Sequence, residues 1–224
     1  MAARTESVNP KKWLNAFLGV VGVTAVLTAI LRLQSRRQSL PCPAWLTVLL
    51  ENPYMNSVAG ADKILDRMAL EPGMKVLDVG CGPGRLTIPA ARRVGPTGTV
   101  TALDIQPEML HRLQDRIVTQ GLTNIQTIQA GAGEGKMPVN TFDRAMLVTV
   151  LGEIPDRQKA LTEIFAALKP NGVLSITEAL PDPHYQSPTQ LQKLTQAAGF
   201  KEQSCTGSWV AFTMNFVKPG GQAS

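Results

Sequence analysis

Met74 to Thr87 reads M-K-V-L-D-V-G-C-G-P-G-R-L-T, and this stretch decides the fold. Val76, Leu77 and Val79 form a short apolar run suited to a buried strand. Behind it Gly80, Gly82 and Gly84 stand at alternate positions, and a helix-compatible segment follows. Such glycines let the backbone turn sharply and bring its N–H groups against a ligand that a Cβ would hold away. The amides that open the next helix favour an anionic group. The dinucleotide fingerprint G-x-G-x-x-G does not fit, because the third glycine comes one residue early and Arg85 stands in its place. A P-loop does not fit either, since Gly-Lys-Ser/Thr is absent from the end of the turn.

Downstream, strand and helix patterns alternate. Leu86, Ile88, Ala91 and Val94 give a helical stripe, and Thr99 to Leu103 reads as a second strand ending in Asp104. A carboxylate roughly twenty residues beyond the loop, at the tip of the next strand, is placed to grip a ribose diol. Pro107 opens a helix that Gly121 closes, Ile125 to Ala130 alternates as a third strand, and Phe142 to Val148 reads as a fourth. Asp156 to Leu168 is an amphipathic helix, and Val173 to Thr177 a fifth strand. Ser187-Pro188 caps and starts a last helix. Phe200 to Cys205 and Trp209 to Val217 close the chain as two strands with no helix between them. The alternation predicts an α/β fold with a mostly parallel sheet, and the closing pair predicts an antiparallel edge hairpin.

Asp78 followed by Gly80-Cys81-Gly82-Pro83-Gly84 resembles motif I of class I S-adenosylmethionine-dependent methyltransferases, and the resemblance runs in order from about Leu70 to Pro219. It implies a Rossmann-like seven-stranded fold with S-adenosyl-L-methionine as cofactor. In that family the glycine loop lies along the methionyl part, an acid at the position of Asp104 holds the ribose, and Ile105 would flank the adenine. Gly131-Ala132-Gly133-Glu134 stands where relatives carry Gly-Asp-Ala-Glu, so Ala132 replaces the acid that takes the adenine amino group. The end of the fourth strand, Leu147 to Thr149, would face the methionyl end. Lys169-Pro170-Asn171-Gly172 resembles the Lys-Pro-Gly-Gly turn of many small-molecule methyltransferases. The Asn/Asp-Pro-Pro-aromatic motif of adenine and glutamine methylation is absent; Thr149-Val150-Leu151-Gly152-Glu153 stands in its place. The group most resembled includes quinone-biosynthesis and phospholipid N-methyltransferases.

The chain has 224 residues and a formal net charge of +5. Of its 22 Lys/Arg and 17 Asp/Glu, six and one lie in residues 1–37, leaving 16 of each beyond. A neutral domain lacks the footprint of a nucleic-acid binder. Cys42, Cys81 and Cys205 show no disulfide framework and no metal spacing, and no metal is expected. About nineteen residues from Trp13 to Leu31 carry no charge, between Lys11-Lys12 and Arg32, Arg36 and Arg37. This is the length of a single transmembrane helix; a signal peptide and a core helix are the rival readings. The expected organisation is a membrane anchor over 1–37, a linker with cap helices over 38–70, and a methyltransferase domain over 71–219. The domain is expected to face the cytoplasm, where the cofactor is made.

Methyl transfer from a sulfonium is an in-line displacement that rests on positioning and needs no protein nucleophile. A base is required only if the acceptor must lose a proton. Glu153, Glu178, Asp182, His184 and Tyr185 follow the fourth and fifth strands. Of these His184, Glu153 and Tyr185 are the catalytic candidates, His184 first because its ordinary pKa lies near neutrality. Each also has a structural reading, as a capping acid or a turn residue. The expected acceptor is a small, lipophilic or membrane-associated molecule; the alternative is a cofactor-binding scaffold or sensor without catalysis. No motif specifies the acceptor or the oligomeric state.

Overall fold

The computed structural model describes residues 60–180 and 182–220, all within the compact unit Ser39–Ser224. The expected anchor and its basic flanks, and residues 38–59 of the expected linker with cap helices, lie outside the described residues. Among the described residues no helix is long and apolar enough to cross a membrane.

In chain order the elements are α1 (Ala61–Arg67), β1 (Lys75–Val79), α2 (Thr87–Val94), β2 (Thr99–Asp104), α3 (Pro107–Thr119), β3 (Ile125–Gln129) and β4 (Phe142–Val148). A 3-10 turn at Leu151–Glu153 leads to α4 (Arg157–Ala167), β5 (Leu168–Ala179), α5 (Pro188–Ala197), β6 (Lys201–Gly207) and β7 (Ala211–Val217). The strands form one sheet in the order β3-β2-β1-β4-β5-β7-β6. β1 to β5 run parallel, and β7 runs antiparallel to both β5 and β6. The sheet and its antiparallel edge are those expected from the sequence.

Side chains alternate across a strand, so each strand feeds two cores. Leu77, Val79, Leu147, Leu174 and Ile176 pack with Leu161 and Ile164 of α4 and Leu191 of α5 on one face. Val76, Val100, Met146 and Ala179 meet Ile64 and Leu65 of α1 and Ala90 and Val94 of α2 on the other. Leu113 and Ile117 of α3 extend that second face over Ala102. Burying a side chain of this size contributes about 1.5–3 kcal/mol. Both faces must therefore be covered for the central strands to hold.

Helix starts follow local chemistry. Asp156 accepts from the Lys159 N–H at 2.9 Å, and Ser187 with Gln190 forms a capping box ahead of Pro188. Two boundaries differ from expectation. β5 begins at Leu168, within the expected helix end and turn, because Leu168 pairs with Phe142 and Asn171 donates to the Lys218 carbonyl at 2.9 Å. β7 begins at Ala211, leaving Trp209 exposed in the turn before it.

Candidate cofactor and acceptor site

The carboxyl ends of β1, β2, β4 and β5 meet along one edge of the sheet. At β1 the N–H groups of Gly80 and Cys81 both donate to the Leu103 carbonyl of β2, at 2.7 and 3.1 Å, and fix the turn. A Cβ on Gly80 would come within 2.6 Å of both Val150 methyl groups, so glycine is required for the loops after β1 and β4 to touch. Gly82 differs: its φ is +52°, and a Cβ there would meet nothing within 4 Å. It borders open space, as a residue passed closely by a ligand should. Gly84 packs beneath Leu113 of α3.

Asp104, only 6% exposed, holds this loop. Its Oδ2 accepts from Gly82 N–H at 2.8 Å and its Oδ1 from Gln106 N–H at 2.9 Å. Both are charge-assisted bonds, and each oxygen retains acceptor capacity for a further donor. Ile105 beside it is an apolar residue more than half exposed. A Cβ on Gly131 would lie 3.6 Å from Ile105 Cδ1, bringing the segment after β3 to the same corner. No helix joins β3 to β4. Glu163 of α4 instead clamps the connection, accepting from Gly133 N–H at 2.5 Å and Met137 N–H at 2.9 Å. Ala132 packs against the core on the α4 face.

Three side chains in the expected cofactor set face inward. Asp78 is buried and accepts from the Thr87 hydroxyl at 2.6 Å, tying β1 to the first turn of α2. Burial pushes its carboxyl up to about 7, against the Thr87 hydrogen bond and with the help of Asp104. Cys81 packs beneath α3, and burial pushes its thiol up, which disfavours the thiolate. Leu147 lies wholly in the core. The side chains of these three residues therefore serve the architecture of the edge, and only their backbone is at hand for a ligand.

Beyond β4, Thr149 has φ +55°. A β-branched residue in that region is an outlier costing about 1–3 kcal/mol. Its N–H donates to the Thr177 carbonyl at 2.8 Å and its hydroxyl to the Val148 carbonyl at 2.7 Å. Arg157 Nε and Nη2 donate to the carbonyls of Leu151 and Gly152, at 3.1 and 2.8 Å, and hold the turn that carries Glu153. A Cβ on Gly152 would collide with the His184 backbone. His184 N–H donates to Asp182 Oδ1 at 2.7 Å. Tyr185 sets its ring edge-on to Phe212 at 5.9 Å and donates its hydroxyl to the Trp209 carbonyl at 3.2 Å. Glu178, 1% exposed, accepts from Gln186 N–H at 3.2 Å through Oε2.

The structure thus brings Gly80, Gly82, Asp104, Ile105 and Thr149 to one edge, with Gly131 to Gly133 at its β3 end and Glu153, His184 and Tyr185 at its β5 end. Asp182 and Glu178 lie near the latter. Sequence reasoning missed Glu163 and Arg157, which hold loops by accepting from or donating to main chain; nothing in their spacing marks them. Among the described residues no group of His, Cys, Asp or Glu is arranged to hold a metal ion.

A family model described as a methyltransferase domain matches residues 70–211. The chain belongs to this family. These S-adenosylmethionine-dependent methyltransferase domains include a ubiquinone/menaquinone biosynthesis C-methyltransferase of Ectopseudomonas mendocina. It is 32% identical over 153 residues, covering 65% of this chain and 60% of the relative. The nocamycin O-methyltransferase of Saccharothrix syringae is 31% identical over 123 residues, covering 55% of this chain and 44% of the relative. Among solved structures, a SAM-dependent methyltransferase from Aquifex aeolicus superposes with a TM-score of 0.72 at 23% identity, over 80% of this chain and all of that one. The chain spans about half the length of the curated relatives it matches. The site fits the family's cofactor on its own evidence. Gly82 opens on free space, and Asp104 keeps acceptor capacity directly beside it.

Proposed function

We propose that this methyltransferase domain moves a methyl group from S-adenosyl-L-methionine to a ring carbon or oxygen of a small, lipophilic phenol or quinol. The observation that carries the cofactor half of this reading is the Asp104 carboxylate, pinned by two backbone N–H groups beside the open face of Gly82. Asp104 would take the ribose hydroxyls, Ile105 and the Gly131–Gly133 segment the adenine, and the backbone of Gly80 to Gly82 the methionyl group. When bound, the cofactor supplies an electrophilic methyl on a sulfonium. The chain's part is to hold the acceptor in line with it, and positioning of this kind lowers a barrier by about 7–11 kcal/mol.

The acceptor class is supported by the E. mendocina relative, named for quinone biosynthesis. The O-methylating relative keeps oxygen open as the methylated atom. Thr149, Val150 and the His184 segment would border the acceptor. We also propose that residues 13–31 anchor the chain in a membrane with the domain in the cytoplasm, which would concentrate lipophilic acceptors near the site. A reporter fused after Ser224 should then be found on the cytoplasmic side.

The decisive experiment uses the full chain, labelled S-adenosylmethionine and naphthalene-1,4-diol, with mass spectrometry of the product. Label recovered in a singly methylated naphthalene is the expected outcome. Cofactor binding by calorimetry with no label transferred to this diol, to other phenols or to a membrane lipid extract would leave a cofactor-binding scaffold instead.

A further inference from the structure

One buried polar atom among the described residues has no hydrogen-bond partner: Oε1 of Glu178. The carboxyl is 1% exposed, and its other oxygen is occupied by Gln186 N–H. Leaving such an atom unanswered costs about 1–3 kcal/mol, so its persistence asks for a reason. Its place supplies one. Glu178 follows Thr177, whose carbonyl takes the N–H of the strained Thr149, so the orphan oxygen and the backbone outlier lie at the same ends of β4 and β5. Alternation along β5 sets Glu178 on the face of Ile176, away from Thr177, whose hydroxyl meets Thr213.

We propose that Glu178 is the proton acceptor of the reaction, taking through Oε1 the hydroxyl proton of a phenolic acceptor seated over the ends of β4 and β5. This inference rests on the acceptor class proposed above. The acceptor's O–H bond breaks and its electron pair stays on oxygen. The proton bonds to Oε1 and passes to solvent after the product leaves. Oε1 is shut from solvent, so the segment 182–186, which holds the other oxygen through Gln186, must lift off Gly152 to admit the ring. The charged and titratable groups that act on the carboxyl are Glu153 after β4, Arg157 on α4, and Asp182 and Tyr185 after β5. Burial, with Asp182 and Glu153, pushes it up to about 8 against Gln186 N–H and Arg157, near the value that suits a base at neutral pH.

The test compares the full-length wild type with E178Q and E178D. Calorimetry with S-adenosylhomocysteine should give one affinity for all three, showing that the cofactor half is intact. Turnover of naphthalene-1,4-diol should fall about 10²–10⁴-fold in E178Q, with E178D between. The wild-type rate should rise with pH and level off above about 8. An E178Q protein that keeps most of the wild-type rate overturns the assignment. If the wild type methylates neither the diol nor other phenols, the acceptor reading fails and binding decides on Glu178. The S-adenosylhomocysteine-loaded wild type should prefer 1-naphthol over naphthalene by about tenfold or more, and E178Q and E178A should alter that preference. No preference in the wild type, or the same preference in every variant, overturns the proposal.

Discussion

Asp104 and Glu178 are both buried carboxyls at the carboxyl ends of parallel strands, yet they are served differently. Asp104, at the end of β2, receives a main-chain N–H on each oxygen, one from the loop after β1 and one from the residue before α3. Glu178, two strands beyond β1 on β5, receives one N–H from a loop and leaves its other oxygen unanswered. The cofactor half is therefore complete before any ligand arrives. The proposed acceptor half keeps a strained threonine and an unsatisfied acid, features that a bound acceptor would offset.

The largest expected effect tests the complete half. Asp104→Ala removes the proposed ribose ligand and also strands the Gly82 and Gln106 amides. Affinity for S-adenosylhomocysteine should fall about 100-fold or more, read by calorimetry. Because the fold loses two buried bonds as well, Gly82→Val is the cleaner partner. The space there is open and the φ is +52°, so it should weaken binding while costing about 1–2 kcal/mol of stability. Unchanged affinity in both variants would erase the difference between the two halves.

Next comes pH. Glu178 rises from 4.5 to about 8 and Asp78 from 3.8 to about 7, so the folded state holds protons that the unfolded chain has released. Their stabilising effect is full below about pH 4 and is lost as pH climbs to about 8, at roughly 1.4 kcal/mol per unit for each group. Chemical denaturation should show stability falling across that window, and E178Q should flatten its upper part. A wild type whose stability rises across the window would contradict the burial of both acids.

Smaller changes sharpen the picture of the acceptor half. Gly152→Ala drives a methyl into the His184 backbone; it should cost about 1–3 kcal/mol and speed hydrogen exchange over 182–186 without altering cofactor affinity. Thr149→Gly relieves a φ of +55° but adds chain entropy. The two oppose one another, and a rise in melting free energy of about 1 kcal/mol or less is expected.

The same contrast explains what could be read from the sequence. The glycine loop and Asp104 were legible because their roles depend on short-range order: a turn after a strand, and an acid at the next strand's tip. Asp78 looked like part of that ligand set, but its partner is Thr87, a residue of the following helix. The early start of β5 at Leu168 was illegible because Phe142 and Lys218, far away in sequence, impose it. The contact of Gly152 with His184 and the orphan oxygen of Glu178 likewise arise between loops that only the finished sheet brings together. Glu178, read from the sequence as just past the fifth strand, belongs to β5, and nothing in its spacing set it apart from His184.

β7 lies between β5 and β6, though it follows both in the chain. While a ribosome is extending the chain, the whole cofactor loop can emerge and turn before β5 has a neighbour on its outer side. Until residue 217 is polymerised, Leu174 and Ile176 sit on a bare-edged strand, open to pairing with another nascent copy. A frameshift that spares everything up to Gly207 would thus keep every motif residue and still yield a sticky, unfinished sheet, detectable as aggregation in cell-free translation of such a transcript.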